Sequence, residues 1–190
     1  MIGTVIAALI GNYLTTCFVI GLLVAAVQVW RHRGPRTSLM VSELFLNNFI
    51  LWAIGVGQAI NFVMHSIFGD FAASTIGWAQ SPFQLELAFA SLGVAVIAFM
   101  LHGRTIQLRA KAAQVVALAI FGYGAAAGHI YQTMVNHDHA VNNGGLLLTM
   151  DVVIATVGIA LVIWRAVAGR RHPAEATGVA MPEAVPAVGR

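Results

Sequence analysis

Read for apolar runs and the polar breaks between them, the chain divides into five long apolar stretches, 3–30, 38–65, 82–102, 112–135 and 145–168. Each is close to the ~20 residues that an α-helix needs to cross roughly 30 Å of hydrocarbon. The breaks at 31–37, 66–81, 103–111 and 136–144 are short, and no internal repeat or second domain is visible. The pattern predicts an all-α integral membrane bundle of five transmembrane helices over residues 1–168. A tail over 169–190, where Pro173, Pro182 and Pro186 stand among small residues, is expected to be disordered and cytoplasmic.

Composition supports the same reading. Of 190 residues, 59% are hydrophobic and 9% charged, against about 25% charged in a soluble domain. Mean hydropathy is +0.83. The ten Lys and Arg residues fall at Arg31, Arg33 and Arg36, at Arg104, Arg109 and Lys111, and at Arg165, Arg170, Arg171 and Arg190. Five alternating spans put all of these on one side, with Asp70 and Asp138 on the other. The positive-inside rule then places the N-terminus outside and the C-terminus in the cytoplasm, as expected of a multi-pass protein of the bacterial inner membrane. The net charge of +3 describes membrane-surface anchors and implies no nucleic-acid partner. No basic residue precedes Arg31, so the first stretch reads as a span and not as a secretory signal. Cys17, the sole cysteine, is expected to be a buried, inert thiol.

Polar residues recur at one depth. Ser81, Pro82 and Gln84 form a capping-box pattern that starts the third helix and sets Glu86 about 6 Å inside the boundary, at ~1.5 Å per residue. His129 in the fourth helix, Asp151 in the fifth, Gln58 in the second and Asn12 in the first lie at similar depth. On helix two, Glu43, Asn47, Gln58, Asn61 and His65 fall on one stripe. His129, Gln132 and Asn136 share a face with Gly128, and 124-GAAAG-128 offers a small surface for a neighbouring helix. Ala90 and Gly93 lie beneath Glu86 on its side.

Amides in such positions serve as hydrogen-bonding glue between helices. Ionisable groups differ, because a lone carboxylate in hydrocarbon costs a few kcal/mol. Glu86, His129 and Asp151 are therefore expected to converge in an outward-facing pocket with Gln58, Asn61, Gln132 and Asn12. Three classes stay open. One is small-ligand or proton handling. A second is a metal or redox-cofactor protein, in which Glu86, His129 and Asp151 balance a divalent cation, with 137-HDH-139 beside them as either a metal entry point or a plain solvated loop. His65 and His129 differ in depth by ~10 Å, which disfavours a shared haem. The third is a non-catalytic accessory subunit that meets a homo-oligomeric or membrane-complex partner within the lipid bilayer. No nucleophile with its base and no phosphate-cradling loop is present, so neither an enzymatic activity nor a particular cofactor is readable.

The segments Gly77-Trp78-x-x-Ser81-Pro82-Phe83-Gln84-x-Glu86, 124-GAAAGHIYQ-132 and Gly144-Gly145 through Asp151 resemble a small family of uncharacterised bacterial membrane proteins, a domain of unknown function. That family is distantly similar to DoxX-type four-helix membrane proteins. The resemblance covers about residues 40–168 and implies positions and not a reaction; DoxX-type proteins are associated with membrane redox complexes.

Overall fold

The computed structural model describes residues 11–171. It is 83% helical, with no strand among those residues. In chain order the helices are α1 (Tyr13–Arg31), α2 (Ser38–Ser66), the short α3 (Gly69–Ile76), α4 (Phe83–Leu101), α5 (Leu108–Val135) and α6 (Leu146–Arg171), the last led in by a turn at Val141–Gly144. All but α3 are long and apolar enough to cross a membrane. Their outward faces carry large apolar side chains such as Leu23, Phe89, Ile120 and Ile163, as lipid-facing surfaces require. α5 begins a turn earlier than its apolar run, and α6 runs on through Arg171. The expected tail from residue 172 lies outside the described residues.

Local signals explain several ends. Thr37 caps α2, its Oγ1 accepting from the Met40 amide at 3.3 Å, and Pro35 just upstream bars an earlier start. Gly77 ends α3 in the left-handed conformation, φ 77°, and the Trp78 amide reaches back to the Ala73 carbonyl at 3.1 Å, the hydrogen-bond pattern of a glycine-capped helix. The capping box expected of Ser81 and Gln84 does not form. Gln84 instead donates to the Gly69 carbonyl at 2.7 Å, tying the start of α4 to that of α3, because α3 supplies an acceptor that the sequence pattern does not reveal.

α2 is the central helix: 67% of its apolar 18-residue stretch is buried, against 22–33% for those of the other four spans. α1, α4 and α6 pack on it, and α5 packs mainly on α6. Within α2, Phe49–Val56 winds as a π-helix, whose wider turn changes the direction in which later side chains face. The polar stripe expected of this helix is thereby divided. Glu43 and Asn47 before the π-segment address α5 and α6, whereas Asn61 after it accepts from Tyr13 Oη of α1 and donates to Ser91 Oγ of α4 at 2.8 Å.

The apolar core follows the π-segment: Leu46, Phe49, Ile50, Ala53 and Ile54 are fully enclosed. Phe49 meets Phe18 edge-on, ring centroids 6.2 Å apart, and seats its ring over Gly158 of α6. A Cβ at Gly158 would fall 2.8 Å from Phe49 Cζ and 3.0 Å from Val115 Cγ1. No side chain fits there without displacing α6.

At the basic end a charged cluster joins three helices. Glu43 accepts from Lys111 Nζ at 2.5 Å, from Arg165 Nε and from Asn47 Nδ2 at 3.0 Å. Lys111 also donates to Asn47 Oδ1 at 2.7 Å and is 0% exposed. Lys111 and Arg165, expected at the membrane surface, are thus drawn inward, because a carboxylate within the bundle requires cationic partners more than the surface requires two more anchors.

Two outcomes follow. Lys111→Met should cost about 3–5 kcal/mol by leaving Glu43 under-compensated, read as lowered thermal stability in detergent, and the double change Glu43→Leu with Lys111→Met should recover part of it. A single variant as stable as the parent would remove the cluster from the account of the fold. Gly158→Ala should cost about 1–3 kcal/mol by overpacking, with Phe49→Leu relieving it. Full stability of Gly158→Ala alone would contradict the tight seat described for Phe49.

Candidate functional site

At the opposite end of the bundle the chain builds a second polar cluster around His129. α5 carries His129 inward on the face that also buries Ala119, Gly122 and Ala126. The closely packed small surface is therefore Ala119, Gly122 and Ala126; of 124-GAAAG-128 only Ala126 is fully buried in it, and Gly124 is open, with nothing within 4 Å of a Cβ built there. Gly122 matters most, since its Cβ would stand 2.9 Å from the Asp151 carbonyl. Its missing side chain lets α6 approach α5 and brings Asp151 to the level of His129.

The imidazole is held on two sides. Trp78, delivered by the glycine turn after α3, stacks on it with ring centroids 5.2 Å apart at 36°. Asn143, fully buried and placed by the turn before α6, meets His129 Nδ1 through its Oδ1 at 2.8 Å. The same Oδ1 accepts from Trp78 Nε1 at 3.2 Å, while Asn143 Nδ2 donates to the Asp138 carbonyl at 2.9 Å and to Thr133 Oγ1 at 3.0 Å. An indole N–H only donates and a backbone carbonyl only accepts, so these two partners fix which way the Asn143 amide faces. Its Oδ1 must then accept a hydrogen bond from His129 Nδ1–H.

That assignment leaves Nε2 as the variable nitrogen, and it faces Asp151 Oδ2 at 3.9 Å. Beside the pair lies a cavity of about 30 Å³ walled by residues that include Leu14, Ala53, Gln58, Gly122, Met150 and Asp151. Gln58 is 5% exposed, and among the described residues no hydrogen bond engages its amide. Asp151 likewise has no direct hydrogen bond beyond its approach to His129.

The remaining expected site residues divide. Asn61 joins Tyr13 and Ser91 as above. Asn12 sits half-buried at the N-terminal cap of α1, its carbonyl accepting from Thr16 N at 2.9 Å. Gln132 lies in the last turn of α5, where its Oε1 accepts from Asn136 Nδ2 at 2.5 Å, away from the pair. His65 is partly buried near the end of α2, its Nδ1 without a partner. His137 and His139 are exposed, and Asp138 between them turns back to accept from the Ala140 amide at 2.9 Å.

Glu86 does not join His129 and Asp151. α4 buries Ala88, Ser91, Ala95 and Ala98, and Glu86 lies about 200° around the helix from Ala88, at ~100° per residue, so it is exposed together with Ala90 and Gly93. It occupies the first turn of α4, where the helix N-terminus favours an anion and the membrane boundary admits water; its nearness to that boundary removes the need for an inward partner. Among the described residues no three His, Cys, Asp or Glu groups come together to hold a metal ion, so the expected centre of Glu86, His129 and Asp151 is not formed.

Asn143 and Trp78 escaped the sequence reading. Trp78 stands within a quoted motif, and Asn143 lies in a connection that reads as a solvated loop; only the adjacency of 142-NN-143 to Gly144-Gly145 hints at a structured turn. The three quoted segments meet here, the first through Trp78, the second through His129 and the third through Asp151.

No curated protein and no solved structure matches the chain. A family model described as a family of unknown function, DUF6790, matches residues 11–171, and the chain belongs to that family.

Proposed function

We propose that this chain handles protons in a bacterial inner membrane, with the N-terminus outside, and that the pair His129 and Asp151 is its working group, placed in the outer leaflet. The lock on the His129 ring carries this reading. Asn143 Oδ1 commits Nδ1–H, so a neutral imidazole presents an Nε2 lone pair to Asp151 Oδ2 at 3.9 Å. Two lone-pair groups facing each other in a low-dielectric site repel unless one holds a proton. The pair therefore carries one proton, either as imidazole with carboxylic acid or as imidazolium with carboxylate. It titrates as a unit. The 3.9 Å gap is beyond direct hydrogen-bond distance, and a small side-chain shift of Asp151 closes it.

A second reading, an accessory subunit, draws on the exposed small face of α4. Gly93 has nothing within 4 Å of a built Cβ, and with Ala90 it forms a surface on which a helix of a second copy or of another membrane protein would pack.

Two experiments test the proposal. In bilayers, nitrogen and carbon magnetic resonance should show the His129 Nε2 and Asp151 carboxyl signals responding to pH together, and Asp151→Asn should abolish the shared response while the protein stays folded. Signals that move in separate steps, or not at all, end the proton reading and leave the accessory one. For orientation, a reporter active only in the cytoplasm should work when fused after Arg171 and be silent when fused near Asp138; the reverse would move the pair to the inner leaflet.

A further inference from the structure

We infer that the cavity between α1, α2, α5 and α6 is a built hydration site, in which Gln58 and Asp151 hold one or two ordered waters. Its existence stands on geometry alone; its role rests on the proton-handling reading above.

Size comes first. The cavity measures about 30 Å³, room enough for a water, which needs at least ~10–15 Å³. Ala53, Leu118 and Ile154, all of them largely buried, form its inner wall.

Polarity comes next. A cavity this small stays dry when its walls are apolar, and water enters only where two or more polar groups await it. Here two do. Gln58, 5% exposed, lines the cavity and carries an amide that no described residue engages, and Asp151 contributes the carboxylate capacity that His129 leaves unused. A primary amide both donates and accepts, and a carboxylate accepts. The occupant must therefore donate to Asp151 and also either donate to Gln58 Oε1 or accept from its Nε2. Water does all of this, whereas an ammonium ion only donates and leaves the Gln58 N–H groups unmet.

The consequence for the pair is specific. Water on the far side of Asp151 from His129 solvates the carboxylate, so the charged arrangement of the pair is supported from both sides. Water hydrogen-bonded to the carboxylic acid supports the neutral arrangement too. The hydration site thus keeps the two proton arrangements within reach of one another.

The test is water-to-protein polarisation transfer in magnetic resonance of the full chain in lipid bilayers. Transfer should reach Gln58 Nε2 and the Asp151 carboxyl. It should not reach the Asn48 side chain, which is buried and closed by hydrogen bonds to Gln28 Oε1 and the Leu44 carbonyl, both at 2.8 Å. Ala53→Val, which fills the cavity, and Gln58→Met, which keeps the volume and removes the amide, should each abolish transfer to Asp151. Should Ala53→Val fail to fold, Gln58→Met decides. Absence of transfer to Gln58 in the parent protein, or undiminished transfer to Asp151 in a folded variant, overturns the hydration site. The His129 titration in the same samples separates the two ideas: a pair that titrates with a dry cavity overturns the water and keeps the proton reading, and a wet cavity beside a pair that does not titrate does the reverse.

Discussion

The Glu43 carboxylate is the charge around which the bundle is assembled. It sits on α2, the helix most enclosed by its neighbours, where hydrocarbon offers nothing to stabilise an anion. Lys111 and Arg165 answer it from α5 and α6, and Asn47 fills the remaining hydrogen-bonding positions. Three helices are thereby fixed in depth and rotation relative to one another before any apolar contact is counted. The Phe49 seat over Gly158 and the close approach at Gly122 then follow from where that cluster sets α6.

The two polar clusters of the molecule differ in how completely they are satisfied. Around Glu43 one carboxylate meets two cations and an amide, and Asn47 Oδ1 is further engaged by the Gly103 amide at 3.4 Å. Such a cluster holds and does not switch. Around His129 the imidazole is placed by Asn143 and Trp78, yet Nε2, Asp151 and Gln58 retain capacity that the described residues do not use. Unused capacity at a buried position is costly where it serves packing alone, which is why the second cluster and not the first is read as the working site.

The π-segment of α2 connects the two. Without it, Glu43 and Asn61 would stay on the single stripe that ordinary helical periodicity gives, addressed to the same neighbours. With it, α2 serves α5 and α6 at the basic end through Glu43 and α1 and α4 at the other through Asn61. A central helix that must satisfy four neighbours has a use for such a change of facing, and π-segments recur near functional sites.

Much of the architecture was legible in the sequence because it depends on terms local to each segment. Five apolar runs of spanning length, short polar breaks and the one-sided distribution of Lys and Arg yield the helices and their alternation from transfer free energy alone. Glu86, His129 and Asp151 were legible as ionisable groups at one level for the same reason, since depth is a property of position along a single helix; that only the last two meet was not. Rotation about the helix axis is different. Whether Glu86 faces inward depends on which side of α4 meets α2, and whether Lys111 reaches Glu43 depends on helices 68 residues apart in sequence. The facing of α2 beyond Val56 hangs on a π-segment whose residues, 49-FILWAIGV-56, carry no local signal for it. Asn143 reads as loop until Trp78 and His129 are brought to it. The sequence by itself determined which segments are long and apolar enough to span a membrane and how far along each its polar groups stand; the tertiary structure decided which side chains meet, because helix rotation is set by packing between segments and not by the free energy of any one of them.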